Sequence, residues 1–221
     1  MRLYIARHGE SIANEKWPDY DNPAEMNGPL TERGRNQANA LATWMKKEEI
    51  SLDAIYASSM VRTKETAGFV SEAYNLPLKL SDLIREGSTA YWDHQPIPDE
   101  KLTVYQDNDF HKTPYLPFDR AVPDMESYAH LVIRVGKFLS ELIAKHEDQT
   151  VLVVGHGWVK NAFVDIIFNV GPFRRCSVFP EFTALSSFNY QKSDEMYGPW
   201  AMKFINQSEH LAVAGLERSL E

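Results

Sequence analysis

The 221-residue sequence lacks the cysteines that staple small secreted proteins, since it contains only one, Cys176. One thiol cannot form an intrachain disulfide, so a disulfide-rich scaffold is excluded and we expect a reducing, cytoplasmic location. No glycine-rich segment surrounds Cys176, which argues against a nucleophilic role for its thiol. The first residues lack a basic segment followed by a long apolar core, so we expect no signal peptide. No apolar run reaches the ~20 residues that cross a bilayer, and we expect no membrane segment.

Positive charge is also in short supply: 23 Lys and Arg residues face 31 Asp and Glu residues, and the net charge is −8. We therefore do not expect nucleic acids or anionic membranes as partners. An acidic protein can still bind phosphate if it concentrates its cations at one place.

Five of the seven histidines have no spacing that is typical of a metal site. They are His94, His111, His130, His146 and His210. None pairs with a second histidine one helical turn away around a glutamate, as in metal-binding helices. We therefore expect no metal and no cofactor.

Hydrophobic residues make up 43% of the chain, which is sufficient for the core of one large α/β domain. We assign residues 1–219 to a single domain and expect Leu220 and Glu221 to be a vector remnant. Predicted strands cover residues 3–6, 53–57, 78–83, 150–154, 183–190 and 200–205. They alternate with helical segments, which predicts a three-layer α/β/α sandwich: a mostly parallel central sheet with helices on both faces.

The helix predictions rest on capping residues and on apolar stripes of helical period. The predicted helices start at Thr31, start at Ser58 or Ser59, cover 125–146, and follow His156 up to Gly171. Each would bury one apolar face against the sheet.

Residues 87–124 form the irregular part of the sequence, with five prolines and many aromatic residues. A loop of this length without secondary structure is unusual inside a compact domain. We expect a short helix near 99–105 and a folded cap insertion. The alternative is a surface excursion that packs on its own aromatic side chains.

Chemically reactive side chains follow four predicted strands, at the point where each strand ends. They are Arg7 and His8 after the first, Arg62 after the second, Glu86 after the third and His156 after the fourth. The carboxyl ends of parallel strands meet at one edge of a sheet, so we expect these groups to converge. Guanidinium groups and free helix amides bind phosphate oxygens, a histidine can attack phosphorus, and a carboxylic acid can protonate the departing oxygen. The pattern therefore predicts a phosphoryl-transfer site.

These residues lie in segments that resemble the histidine phosphatase superfamily, also called the phosphoglycerate mutase-like family. The segments are ARHGES at 6–11 with Asn14, PLTERGRNQA at 29–38, YASSMVRTKETA at 56–67, LIRE at 83–86 and VGHG at 154–157. They occur in the family's order and span most of residues 1–170. The glycines on both sides of His156 resemble branch 1 of the family and differ from its phytase-like branch.

The resemblance implies a role for each of the residues that follow the predicted strands. His8 would be the nucleophile that forms a phosphohistidine. Arg7 and Arg62 would clamp the phosphoryl group. His156 would donate a hydrogen bond to the phosphoryl oxygens and stabilise the transition state.

The resemblance also implies that Glu86 is the general acid, with Glu126 as a rival carboxylate near the start of the following helix. Candidate substrate-binding residues are Asn14, Ser11, Gly157 and Trp92. Further candidates around the substrate are His94, Arg174 and Arg175. Thr31, Gly34 and Gln37 are expected to be scaffold residues.

The segment after Glu86 bears on the type of reaction. Phosphoglycerate mutases carry a Tyr-Gly-Leu-rich segment there, from which residues 87–92 depart. The cap holds seven acidic residues against three basic ones, a charge that would repel a highly anionic substrate. We therefore expect a hydrolase of a small phosphorylated metabolite with few further charges, and a phosphoprotein substrate stays open. The alternatives are a phosphoglycerate mutase-type phosphotransferase and a non-catalytic protein that binds phosphorylated ligands. The oligomeric state has no signature in the sequence.

Overall fold

The computed structural model describes residues 1–103, 124–170, 177–192 and 198–216. Its strands are β1 (Arg2–Arg7), β2 (Ala54–Ser58), β3 (Leu78–Ser81), β4 (Thr150–Gly155), β5 (Leu185–Tyr190) and β6 (Trp200–Gln207). Its α-helices are α1 (Ile12–Glu15), α2 (Glu32–Lys47), α3 (Val61–Tyr74), α4 (Tyr128–Lys145), α5 (Gly157–Ile167) and α6 (Glu209–Val213). Short 3-10 helices cover Pro23–Asn27, Asp82–Ile84 and Asp99–Lys101. None of the helices within these ranges has both the length and the apolar character to span a bilayer.

The six strands form one mixed sheet in the order β3-β2-β4-β1-β5-β6. The first four strands in this order pair in parallel, while β5 runs antiparallel to β1 and β6 antiparallel to β5. β4 lies in the middle between β1 and β2, as its run of β-branched residues predicts. The predicted α/β fold with a mostly parallel sheet is therefore confirmed.

Two apolar cores lie on opposite faces of this sheet, because successive side chains of a strand point to opposite sides. On one face, Ile5 and Val153 belong to a core with the buried stripes of α4 and α5. On the other face, Tyr4 and Leu152 belong to a core with α2 and α3. Each fully buried Val, Leu or Ile contributes about 1.5–3 kcal/mol. The two cores thus hold the ends of β1 and β4 rigidly between helices.

The start of α3 differs from the sequence prediction, which placed its cap at Ser58 or Ser59. The N-cap is Met60, without a side-chain hydrogen bond. Both serine hydroxyls have other partners: Ser58 Oγ lies 2.9 Å from a ring nitrogen of His156, and Ser59 Oγ donates to Asp82. That prediction is wrong because tertiary contacts outcompete the local cap.

Other element ends agree with the sequence prediction to within a few residues. Thr31 caps α2 as expected, since its hydroxyl accepts the amide of Gly34 at 2.9 Å. β3 is shorter than predicted, because Ser81 caps a 3-10 helix that begins directly after it. α5 ends at Ile167, before the predicted stop at Gly171, and Asn169 there has a left-handed φ of 53°.

Of the predicted cap insertion, residues 87–103 and 124 lie within the described ranges. A single 3-10 turn, Asp99–Lys101, occupies the start of the helix expected near 99–105. Ile97 and Leu102 pack with Met125 in a small apolar cluster, which ties this part of the cap to the segment before α4. The remainder of the cap, Gly171, Arg174, Arg175 and Cys176 lie outside the described residues. The assignment of residues 1–219 to one domain stays a prediction.

Candidate active site

The carboxyl ends of β1 and β4 bring two buried imidazole rings together. His8 follows β1 directly, and His156 follows β4 as the N-cap residue of α5. The two strands pair in parallel, with Arg7 opposite Gly155. The ring centroids of His8 and His156 lie 5.2 Å apart, and both side chains are buried. Two histidines that are separated by most of the chain therefore share one site.

Hydrogen bonds determine the protonation state of the His8 ring. Nδ1 lies 2.6 Å from the carbonyl oxygen of Gly9, which can only accept, so Nδ1 carries the proton. Nε2 then has a lone pair, which accepts a hydrogen bond from Nε of Arg62 at 3.1 Å. Burial, assisted by the positive charges of Arg62 and Arg7, holds the pKa of His8 well below its usual value. His8 is therefore a neutral ring whose unprotonated Nε2 is bonded by an arginine.

Gly9 and Gly34 allow the backbone after His8 to lie directly on the start of α2. A Cβ on Gly34 would overlap the carbonyl of Glu10, and a Cβ on Gly9 would meet the carbonyl of Gly34. Gln37 extends this contact, because its Oε1 accepts the amide of Glu10 at 2.9 Å. The expected scaffold residues thus fix the position of the segment that carries His8.

Arg62 and Arg7 supply two guanidinium groups. Arg62 lies in the first turn of α3, is buried, and donates from Nη1 to the carbonyl of Met26 at 2.9 Å. Burial lowers the pKa of Arg62 to about 10, which leaves it charged at neutral pH. The guanidinium of Arg7 lies 4.2 Å from the ring centroid of Phe182 and donates to the carbonyl of Pro180 at 2.7 Å. A guanidinium offers a fork of donors that matches the oxygens of a phosphoryl group.

His156 has one ring nitrogen bonded and one available. Its Nε2 lies 2.9 Å from Ser58 Oγ, which also accepts the amide of Met60. If the Ser58 hydroxyl donates to Nε2 of His156 while it accepts the amide of Met60, it makes one hydrogen bond of each kind. The proton of the His156 ring then lies on Nδ1. Nδ1 is buried and has no hydrogen-bond partner among the described residues. Burial, and then the charge of Arg62, holds the pKa of His156 well below its usual value, so the ring is a neutral donor.

The carboxyl group of Glu86 lies at the N-terminus of α5. Its Oε2 accepts the amide of Gly157 at 3.1 Å, and its Oε1 accepts the amides of Trp158 at 3.1 Å and Gly87 at 2.9 Å. The expectation of free helix amides is therefore wrong for Gly157 and Trp158, which the carboxyl group engages. Burial raises the pKa of Glu86, against the hydrogen bonds from Gly87 and Trp158 and the charges of Arg62 and Arg7. The raised pKa favours the protonated form that a general acid requires.

The rival carboxylate, Glu126, has a different environment. Its Oε2 and Oε1 each accept a hydrogen bond of 2.7 Å from Arg134, and both side chains are inaccessible to solvent. Glu126 is not among the residues that line the cleft described below. Both its oxygens accept hydrogen bonds from one guanidinium, whereas Glu86 belongs to the lining of the cleft.

A cleft of about 700 Å³ opens onto this site. Of the predicted residues, it is lined by Arg7, Asn14, Glu86 and Gly157. His8, Arg62 and His156 are buried and are not part of the described lining. A phosphoryl group that enters from the cleft would therefore have to displace the Arg62 side chain from His8 Nε2.

Two predicted substrate-binding residues lie elsewhere. Trp92 is 52% exposed and is not among the described residues that line the cleft. Ser11 is fully buried, and its hydroxyl donates to Oδ1 of Asn14 at 2.7 Å. Because Ser11 holds Oδ1, the amide nitrogen of Asn14 is left as the donor of that side chain. Ser11 therefore orients a cleft residue and does not itself face the cleft.

Aromatic residues that the sequence analysis did not select also line the cleft. They are Trp17, Trp158, Phe179 and Phe182. Trp158 directly follows the His156-Gly157 pair, so its position beside a motif could have indicated it. Phe179 and Phe182 precede β5 in an irregular segment and have no local pattern that indicates a role.

An α/β sandwich with two histidines, two arginines and one carboxyl group at its strand ends is the architecture of a histidine phosphatase. The family model described as histidine phosphatase superfamily (branch 1) matches residues 3–200, and the chain belongs to this superfamily. The predicted family is thereby confirmed.

Individual relatives differ in their named activities. The chain is 34% identical over 156 residues to phosphoserine phosphatase 1 of Hydrogenobacter thermophilus, covering 71% of each protein. It is 23% identical over 217 residues to "Probable phosphoglycerate mutase GpmB" of Enterobacter sp. (strain 638), covering 98% of each. The solved structure of YhfR from Bacillus stearothermophilus superposes with a TM-score of 0.73 at 24% identity, covering 95% of this chain and 98% of that one. The superposition shows the shared fold.

Proposed function

We propose that this protein is a phosphomonoester hydrolase that works through a phosphohistidine on His8, with Glu86 as the proton donor. The observation that carries the proposal is the neutral, buried His8 ring, whose Nε2 faces Arg62 and whose neighbour is His156. Membership of the histidine phosphatase superfamily and the likeness to a phosphoserine phosphatase support it. We also propose a cytoplasmic location, because a chain with a single cysteine suits a reducing compartment.

The first half-reaction would transfer the phosphoryl group to the enzyme. Nε2 of His8 attacks phosphorus, the P–N bond forms and the P–O bond to the leaving alcohol breaks. The proton on the Glu86 carboxyl passes to the departing oxygen, so that a neutral alcohol leaves. Oε2 is the better position for this proton, because it accepts one amide while Oε1 accepts two.

The second half-reaction would hydrolyse the phosphohistidine. The Glu86 carboxylate takes a proton from water, the water oxygen attacks phosphorus and the P–N bond breaks. Inorganic phosphate leaves, and His8 and Glu86 return to their starting forms. In both steps Arg7, Arg62 and the Nδ1–H of His156 would hold the phosphoryl oxygens, with Asn14 as a further donor.

The cleft favours a substrate whose leaving group carries little charge. Trp17, Trp158 and Phe179 offer apolar surface, and Glu15 adds an acidic residue to the same lining. Glu10 also lines the cleft, but its carboxylate pairs with Arg33. An acidic residue near the leaving group would repel additional anionic groups. We therefore propose small phosphomonoesters of neutral or weakly charged alcohols as the substrate class. Phosphoglycerate mutase activity stays the alternative, and the named mutase relative is the observation in its favour.

The test is turnover of p-nitrophenyl phosphate by the wild type and by His8→Ala. We expect turnover by the wild type, unchanged by a metal chelator, and loss of turnover in the variant. A rapid acid-free quench should yield a phosphoenzyme that is stable to base and labile to acid. Binding of phosphate without turnover would favour a non-catalytic binding protein, and interconversion of phosphoglycerates faster than hydrolysis would favour a mutase.

A further inference from the structure

Arg134 is a fully buried arginine that does not line the cleft within the described residues. It lies on α4, and each of its guanidinium nitrogens donates a hydrogen bond. Nε and Nη2 bond the two carboxylate oxygens of Glu126 at 2.7 Å each. Nη1 donates to the carbonyl of Leu83 at 2.9 Å, and Nη2 donates to the carbonyl of Glu86 at 3.0 Å.

These contacts attach the backbone of Glu86 to α4 through hydrogen bonds. The carbonyl of Glu86 accepts Arg134 and also the amide and hydroxyl of Thr89, at 3.3 and 2.6 Å. The side-chain carboxyl group of Glu86 accepts hydrogen bonds from the amides of Gly157 and Trp158 on α5. The main chain of Glu86 is therefore fixed by one helix and its side chain by another.

We propose that the buried Glu126–Arg134 pair is a positioning unit that holds the proton donor Glu86 at the distance and angle the leaving oxygen requires. This inference rests on the proposed function, because it assumes that Glu86 is the acid. Arg134 acts through Glu86 and is a positioning residue. Glu126, the rival acid of the sequence analysis, becomes the counter-ion that keeps the guanidinium in place.

The cost of burying this pair is the physical argument for a role beyond stability. Removing two opposite charges from water is offset only partly by their attraction, and apolar residues of similar volume often stabilise a fold as well or better. Ser88, two residues after Glu86, has a left-handed φ of 64° although it is not a glycine. A strained backbone persists where surrounding contacts over-determine it, and such positions cluster at functional sites. Ser88 thus adopts a strained conformation two residues after the proposed acid, next to the carbonyl that Arg134 bonds.

The experiment compares two esters that differ in their need for an acid. p-Nitrophenyl phosphate has a good leaving group that needs little protonation, whereas benzyl phosphate releases an alkoxide that must be protonated. Both carry one aromatic ring, so binding in the cleft is similar. The ratio of their kcat/KM values therefore reports the action of the acid in the first half-reaction, because the second half-reaction is the same for both esters and does not enter kcat/KM.

The principal variant is the double substitution Glu126→Leu/Arg134→Met, which removes both charges together and leaves neither unpaired. We expect kcat/KM for benzyl phosphate to fall by about 10- to 100-fold, because a displaced catalytic group loses this much, while kcat/KM for p-nitrophenyl phosphate changes by less than about threefold. Arg134→Lys keeps a charge beside Glu126 but loses the planar fork, and should change the ratio in the same direction. It is the deciding variant if the double variant does not fold.

Leu139→Ala is the matched control, because Leu139 is a buried residue of α4 that belongs to the apolar core. It should lower stability in urea without changing the ratio of the kcat/KM values. Glu86→Gln separates the two proposals. If Glu86→Gln leaves the ratio unchanged, Glu86 is not the acid and the proposed function fails at that point. If Glu86→Gln changes the ratio while the double variant or Arg134→Lys keeps the wild-type value, the positioning inference is overturned.

Discussion

Lys160 gives the most quantitative prediction about stability, because it is a buried amine inside α5. It is 1% exposed, and its Nζ donates to the carbonyl of Ala184 at 2.9 Å. Burial, together with the charge of Arg7, lowers the pKa of Lys160 from 10.5 to about 7. The unfolded chain would bind this proton more tightly than the folded chain at every pH between those values. Protonation therefore favours unfolding, and stability should rise with pH.

The size of the effect follows from the two pKa values. One pKa unit corresponds to 1.36 kcal/mol, and near pH 7 the folded amine is already about half deprotonated. Integrating the linkage between pH 7 and pH 9 gives an increase of about 2 kcal/mol in the unfolding free energy from this residue alone. Lys160→Met lacks the titrating group and should lack this increase. At pH 7 we expect the variant to be at least as stable as the wild type, because no buried amine remains to be protonated on unfolding.

The assay is urea denaturation of both proteins between pH 7 and pH 9, followed by circular dichroism. Lys137→Met is the matched control, because Lys137 is exposed on α4 and loses the same charge. Its pH dependence should equal that of the wild type. Equal slopes for the wild type and Lys160→Met would refute the reasoning, since Lys160 would then be charged in the folded protein.

Three further predictions concern the site and its scaffold. Gly34→Ala should lower the free energy of unfolding in urea by about 1–3 kcal/mol or more, because its Cβ would overlap the Glu10 backbone. Gly68 is a helical glycine with open space around it, so Gly68→Ala should raise the free energy of unfolding by up to about 1 kcal/mol. Equal effects of the two substitutions would contradict the packing argument. Ser58→Ala should slow turnover by about tenfold, less than the ~10²–10³ expected for loss of a whole donor, because His156 loses the partner that sets its tautomer; unchanged kcat would show that Ser58 is not needed. The kcat/KM for benzyl phosphate should fall as pH rises through the raised pKa of Glu86, and Glu86→Gln should lack this alkaline limb; an identical limb in the variant would assign it to another group.

The parts of the site that the sequence predicted depend on local patterns. A short apolar run before Arg7, and another before Gly155, identify strand ends without knowledge of the fold. Parallel pairing then brings these ends together, as the register of β1 and β4 demonstrates. The glycine after His8 was likewise visible in the sequence, and the structure explains it by close packing, since a Cβ on Gly9 would meet the carbonyl of Gly34.

The parts of the site that the sequence could not predict depend on contacts between distant segments of the chain. The amides at the start of α5 looked free for a ligand, but Glu86 occupies them from a segment about seventy residues earlier. Trp92 and Trp158 have equal side chains, yet only Trp158 lies on a helix that faces the cleft. Glu126 looked like a residue of a helix start, but the structure pairs it with Arg134, eight residues further along the chain, whose guanidinium also donates to the carbonyl of Leu83. The partners of Glu86 and Arg134 thus come from segments that no periodicity in the sequence connects.

Burial resolves a conflict between the two groups that the proposed reaction needs. The nucleophile His8 must be neutral, which at its ordinary pKa of 6.5 requires a higher pH, while the acid Glu86 must be protonated, which at its ordinary pKa of 4.5 requires a lower one. With these ordinary values, no pH would give both groups the required form in most molecules. Burial disfavours charge on either group, so it lowers the pKa of His8 and raises that of Glu86. The two pKa values therefore move toward each other, and the fraction of molecules that hold a free base and a protonated acid together increases. The same desolvation strengthens the attraction of Arg7 and Arg62 for the incoming phosphoryl group, so one physical cause serves nucleophile, acid and anion binding together.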